Sequence, residues 1–303
     1  MQIDISGTAR AMSARNGTFL SVYDHHVPNR PQGPADREKK MKTLAKTFLA
    51  ACALSAGVLS SAPALMAQET LRLGTSVGYP PFEYIDDKGE IAGFDIDVGN
   101  AICAYLNKTC TWENIDFAAI IPALKARKFD AVHASIAITD ERRKQVDFTD
   151  VVYGSDSRLI ARKDSGMTLD IDVLKTKRIG VEQGSTNDRH AKKFWAPQGV
   201  EIVAYADQDL ALADLIAGRI DAFSATGLQV AVGFLAEERG QDFDFVGGPL
   251  EGAETDGAAI AVTKGNTALV EELNRGLAAI KANGTFDQLA AKYFPPSVDL
   301  NAK

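Results

Sequence analysis

One eight-residue pattern has an echo further along this chain. Leu124-Lys125-Ala126-Arg127-Lys128-Phe129-Asp130-Ala131 is echoed by Leu215-Ile216-Ala217-Gly218-Arg219-Ile220-Asp221-Ala222. Each copy reads as the end of a helix, a turn and the start of a strand, so two units of like design are expected, each a sheet flanked by helices. Around the first copy, residues 71–75 alternate apolar and polar, the pattern of a half-buried strand. Phe94, Val98, Ile102 and Leu106 recur every four residues, with Ala101 and Tyr105 beside them, which predicts an amphipathic helix. Residues 111–113 then read as a strand, 118–128 as a helix and 129–132 as a buried strand. Strands alternating with helices predict mainly parallel sheets. Two helices near the end, 267–283 and 286–293, are expected to return to the first unit.

The segment from Met41 has Lys42 and Lys46, an apolar stretch over 47–59, and small residues leading to Ala67. That is the layout of a secretory leader, and its apolar part is too rich in Ala and Ser for a membrane anchor. Leu49-Ala50-Ala51-Cys52 has too few apolar residues ahead of it to serve as a lipoprotein box. Residues 1–40 are polar, contain Pro28, Pro31 and Pro34, and show no periodicity; translation is expected to begin at Met41. The first 67 residues hold 8 of the 33 basic and 4 of the 40 acidic side chains, so the remainder carries 25 and 36, a net charge of −11. A chain that acidic is a poor partner for nucleic acid or an anionic membrane. After export only Cys103 and Cys110 remain, and with His133 and His190 the only histidines, distant in sequence, a disulfide is expected rather than a zinc site. No cofactor is called for.

Three segments suggest binding chemistry. Thr139 suits a helix N-cap and puts Arg142 on the third helical position, where unpaired amides and a guanidinium would hold a carboxylate. The plainer alternative is a surface arginine paired with Asp140 or Glu141. Residues 179–186 read as a strand, a glycine turn and the hydroxyls of Ser185 and Thr186, with a helix from about Asn187. These would hold a ligand from the opposite side, or simply cap the helix. In Gly78-Tyr79-Pro80-Pro81-Phe82 the prolines would fix the direction of Tyr79, either as an exposed stacking lid or as part of the core; Phe82 is core.

From residue 70 to about 295 the chain resembles the periplasmic solute-binding proteins of family 3, which serve polar amino acid ABC importers, with the lysine/arginine/ornithine- and histidine-binding branch the nearest. The resemblance rests on GYPPF (78–82), GFDIDVGNAI (93–102), ALKARKFDAV (123–132), SIAITDERRKQVDF (135–148), DSRLIA (156–161) and GVEQGSTN (180–187). It implies an α/β, two-lobed periplasmic-binding-protein fold of type II. Lobe 1 would be 70–153 plus 258–296, lobe 2 158–248, and the hinge 154–157 and 249–257. It implies that Arg142 takes the ligand carboxylate, helped by Ser135 and the Thr186 region, and that Tyr79 and Phe117 sandwich the ligand side chain. It also places Cys103 and Cys110 where that branch has its disulfide. The chain departs from the pattern at Ala137, where a hydroxyl is common, and at Ser76, where the basic amino acid branch has an acidic residue. Thr226 stands where an aspartate is expected to take the α-ammonium. Glu182 adds a carboxylate at a usually apolar place, either holding a cationic group or facing water.

The resulting expectation is a monomeric periplasmic receptor without catalytic or metal-binding residues, which closes on an amino acid or amino-acid-like carboxylate and hands it to a permease in the inner membrane. The lost aspartate leaves open an opine or another amine-bearing carboxylate. A cyclohexadienyl dehydratase-like enzyme on the same scaffold is the rival from another class. Glu182 would be its acid, and conversion of prephenate or arogenate would reveal it. A receptor that signals to a kinase partner is indistinguishable in sequence from one that serves transport.

Overall fold

The computed structural model describes residues 68–300 apart from Ser155 and Glu254. The leader expected at 41–67, residues 1–40, Cys52 and the hinge position Ser155 lie outside the described residues.

The first sheet is entered through β1 (Glu69–Thr75) and a small hairpin of β2 (Tyr84–Ile85) and β3 (Ile91–Ala92). Helix α1 (Phe94–Tyr105) follows and buries Phe94, Val98 and Ile102, the four-residue stripe seen in the sequence. Its N-cap, Gly93, has φ 134°, and a Cβ there would sit 2.1 Å from the carbonyl oxygen of Phe82. Only glycine permits this close crossing of the hairpin over the helix start. Next come β4 (Lys108–Asn114), α2 (Phe117–Lys125), β5 (Ala131–Val132), α3 (Asp140–Arg143) and β6 (Val146–Phe148). Strand β4 extends further each way than expected. Strand β5 begins late, because Asp130 is drawn into a turn by hydrogen bonds from the backbone and guanidinium of Arg72.

The chain then crosses to a second sheet through β7 (Ser157–Arg162). That sheet continues with α4 (Ile171–Leu174), β8 (Arg178–Glu182), α5 (Thr186–His190), β9 (Glu201–Tyr205), α6 (Gln208–Ile216), β10 (Ala222–Thr226), α7 (Gly227–Val230) and β11 (Phe243–Val246). The return lays β12 (Ala261–Thr263) into the first sheet, after which α8 (Thr267–Ala282) and α9 (Thr285–Tyr293) pack beside α1. At the crossing Tyr153 pairs with Ala258 as an antiparallel bridge, so the outgoing and returning segments lie side by side.

Strand order is β4-β1-β5-β12-β6 in one sheet and β11-β7-β10-β8-β9 in the other. Each sheet is mixed rather than mainly parallel. Its strands joined through helices pair parallel, while β12 in the first and β7 in the second run antiparallel to both neighbours. Apolar periodicity shows which face of a strand is buried but is blind to its direction, so this was not legible in advance. Both faces of both sheets are apolar. One core joins β1 to α1, α8 and α9, a second lies under α2, and two more flank the second sheet.

Cys103 on α1 and Cys110 on β4 form a disulfide with their Cα atoms 5.8 Å apart. The closed loop is short, so loop entropy alone gives a contribution of about 2–3 kcal/mol. Replacing both cysteines by serine should lower urea-unfolding stability by that amount. An unchanged transition midpoint would mean the loop is already ordered in the unfolded chain. Among the described residues no helix is long and apolar enough to cross a membrane.

Candidate ligand-binding site

Between the two sheets lies a narrow cleft, built from loops at the strand ends of both halves. Its centre is Arg142. Thr139 caps α3 by accepting the amide of Arg142 on its hydroxyl (3.2 Å), which turns the guanidinium inward, where the residue is only 4% exposed. Nη1 donates to the carbonyl of Ala137 (2.8 Å) and Nη2 to that of Gly184 in the opposite half (3.2 Å). The guanidinium carbon stands 5.3 Å from the ring centre of Phe117. Burial, and then the charge of Arg189, lower its pKa to about 9, so it stays protonated at neutral pH. Glu141 reaches Arg189 instead (3.5 Å), and no carboxylate among the described residues is within ion-pair distance of Arg142. The solvated surface arginine is thereby excluded. A buried cation with spare donors is costly unless an anion joins it.

Carboxyl groups also line the cleft, among hydroxyl, amide and aromatic side chains. Glu83 was not singled out from the sequence. The backbone turn from Tyr79, closed by Tyr79 N to Glu83 O (2.9 Å) and Phe82 N to Tyr79 O (2.9 Å), delivers it to the cleft at 1% exposure. Its place directly after the Pro-Pro turn was the available signal. Ser135 Oγ donates to Glu83 Oε2 (3.2 Å), while Asp95 accepts the Ser135 amide (2.8 Å) and the Tyr153 hydroxyl (2.9 Å). Burial first, and the nearby Asp95 second, hold the Glu83 carboxyl well above the usual carboxylate range. Glu182 ends β8 and is buried, not turned to water; burial raises its pKa to about 7 against the bond from Gln208 Nε2 (3.1 Å).

The structure brings every sequence-derived candidate to this one cleft. Tyr79 is a buried wall rather than an exposed lid, and it lines the cleft together with Thr226. Ser135 lines the cleft with its hydroxyl engaged in the Glu83 and Asp95 cluster. The hydroxyl of Ser185 is occupied in capping, accepting the Asp188 amide (3.0 Å), so α5 starts at Thr186, one residue earlier than expected. Thr186 is half-buried at the cleft surface, and Asn187 accepts Ser224 Oγ (3.1 Å). Ala137 serves through its carbonyl, which makes its missing hydroxyl immaterial to Arg142. Ser76 is buried where β1 ends. Gln208 and Asp156 also line the cleft and were not foreseen. Among the described residues no cluster of His, Cys, Asp and Glu is arranged to hold a metal.

Two α/β lobes joined by paired crossing strands, with a polar cleft between them, define a solute receptor of the periplasmic-binding-protein type II fold. Residues 71–296 match the family described as bacterial extracellular solute-binding proteins, family 3, and the chain belongs to that family. It is 41% identical over 252 residues to the lysine/arginine/ornithine-binding periplasmic protein of Escherichia coli K12, covering 82% of this chain and 97% of that one. It is likewise 41% identical over 256 residues to the L-arginine-binding protein of Pseudomonas aeruginosa, covering 84% and 97%. A solved Salmonella typhimurium periplasmic binding protein, described as having high arginine specificity, superposes with a TM-score of 0.69 at 32% identity, over 75% of this chain and all of that one.

Proposed function

We propose that this chain is the periplasmic, monomeric ligand-capturing component of an ABC importer for a basic amino acid, acting as a receptor and not as an enzyme. The observation that carries the reading is a buried guanidinium with no carboxylate at ion-pair distance among the described residues, in the same cleft as two buried carboxyl groups. Arg142 takes the ligand carboxylate through parallel hydrogen bonds. A cationic side chain extends between Tyr79 and Phe117 toward Glu83, whose burial beside Asp95 makes an incoming cation favourable. The lobes, 70–153 with 258–296 and 158–248, turn about 154–157 and 249–257. Binding shifts the open–closed equilibrium, and a permease in the inner membrane reads the closed form. The names of the relatives, which are binding proteins for lysine, arginine and ornithine, support this choice.

A thermal-shift panel tests it. L-arginine, L-lysine or L-ornithine at a thousandfold excess over Kd should stabilise the protein by about 4 kcal/mol, a rise in Tm of roughly 8–16 °C. L-glutamate and agmatine, which lack the cationic side chain and the carboxylate respectively, should leave Tm in place. No shift with any of the three basic amino acids would overturn the reading.

A further inference from the structure

Gln208 is 2% exposed and lines the cleft, yet its Oε1 has no hydrogen-bond partner among the described residues. Its Nε2 is spent on Glu182 Oε2 at 3.1 Å. A buried amide oxygen left unmatched costs about 1–3 kcal/mol, and it sits beside a buried carboxyl. Two acceptors therefore share one corner of the cleft with no protein donor to satisfy the second of them.

The location of that corner follows from sheet register. Val181 pairs with Ser224 in the parallel ladder of β8 and β10, so Glu182 emerges at the strand ends next to Ala225 and Thr226. Thr226 lines the cleft and carries no charge. Helix α6 brings Gln208 in from the other side, its N-terminus capped by Asp207. Arg142 and Glu182 act electrostatically on each other, whereas the principal charges acting on Glu83 are Asp95 and Glu182. Glu182 is thus within electrostatic reach of both Arg142 and Glu83. In an α-amino acid the ammonium nitrogen is two bonds from the carboxylate carbon, so a ligand anchored on Arg142 presents that group on the Glu182 side.

Building on the amino acid reading, we infer that Glu182 and Gln208 Oε1 form the acceptor pair for the ligand's α-ammonium, supplied from β8 and α6 rather than from the end of β10. The ammonium donates one hydrogen bond to each. The subsite selects for a free primary amine next to the acid and against ligands that lack it. The arrangement also links binding to protons. Besides Gln208, the groups facing Glu182 are Asp207 from the turn before α6, Arg142 from α3, and Tyr79 and Glu83 from the loop after β1. With its carboxyl titrating near 7 in the empty cleft, Glu182 must lose a proton to receive a cation. Binding therefore strengthens as pH rises toward that value and levels off above it.

Calorimetric titration of the full chain with L-arginine and with 5-guanidinopentanoate, its analogue without the α-amino group, tests the assignment. Wild type should bind the analogue on the order of a hundredfold more weakly, a penalty within the range for an unpaired buried polar group. In Glu182→Gln, and in Gln208→Leu, that gap should shrink by at least tenfold, with L-arginine weakened and the analogue nearly unchanged. Wild-type affinity for L-arginine should fall at least thirtyfold from pH 8 to 5.5, roughly thirtyfold being the share of Glu182, and Glu182→Gln should remove that share. Both variants should keep the wild-type circular dichroism, and the analogue's retained binding reports an intact cleft. Equal losses for both ligands, or an undiminished gap in both variants, would overturn the subsite while leaving the amino acid reading intact. Failure of wild type to bind any basic amino acid would instead overturn that reading and the subsite with it.

Discussion

Arg142→Ala should abolish amino acid binding while leaving the empty protein as stable as before or more so. The two signs follow from one fact: the guanidinium is buried without a carboxylate beside it. In the loaded cleft it meets the ligand anion, and removing one member of a desolvated charge pair costs about 3–5 kcal/mol, a loss of at least a hundredfold in affinity. In the empty cleft the same cation is desolvated with only more distant carboxylates to offset it. Its deletion forfeits the bonds to the carbonyls of Ala137 and Gly184, the contact with the Phe117 ring and the attraction to Glu182. Arg142→Lys should fall between, because an ammonium keeps the charge but not the planar fork. Calorimetry reads the first effect and urea unfolding of the ligand-free protein the second. Retained binding in Arg142→Ala would remove the anchor from this account. A large drop in unliganded stability would mean that the side chain is chiefly structural.

A second large effect is expected far from the ligand. Gly233 belongs to the second half, yet a Cβ on it would lie 2.0 Å from the backbone oxygen of Pro80 in the first. Gln229 Nε2 donates to that same oxygen at 2.9 Å. The lobes meet here with no room for a methyl group, and the obstacle is backbone rather than a movable side chain. Gly233→Ala should hold the edge ajar and weaken binding by one to two orders of magnitude, in line with about 1–3 kcal/mol for overpacking. No residue proposed to touch the ligand is altered. Small-angle scattering should show the variant at saturating L-arginine with a larger radius of gyration than wild type. Equal affinity and equal compactness would show that this edge is not a contact of the loaded form.

Much of the architecture could be read directly from residues. The stripe Phe94, Val98, Ile102 predicted α1 because a helix buries every third or fourth side chain whatever its neighbours. The Leu124 and Leu215 echoes anticipated two similar halves. Thr139 and Arg142 were legible because a cap and the position it orients are local in sequence. Other features were set by tertiary structure. Glu83 and Gln208 look like ordinary polar residues until the two halves meet and exclude water from them. The direction of β12 depends on where the chain re-enters the first sheet, which no periodicity records. Whether Glu182 faced water or the cleft was likewise undecidable until β8 was placed beside β10 and α6. Ser185 showed the reverse case, where a local rule, helix capping, accounts for a hydroxyl that also suited a ligand.

The carbonyl of Gly184 receives Arg142 from across the divide and Arg189 from its own side. A single peptide oxygen in one half is therefore gripped by the very group proposed to meet the guest in the other. Capture and sealing would then draw on one side chain: a solute that draws the guanidinium away from this oxygen should loosen the seam, and one that leaves it in place should let the seam stand. Residence time should accordingly track how well a compound's acid group tolerates sharing that side chain, so two compounds of equal affinity can still differ in how long the receptor retains them.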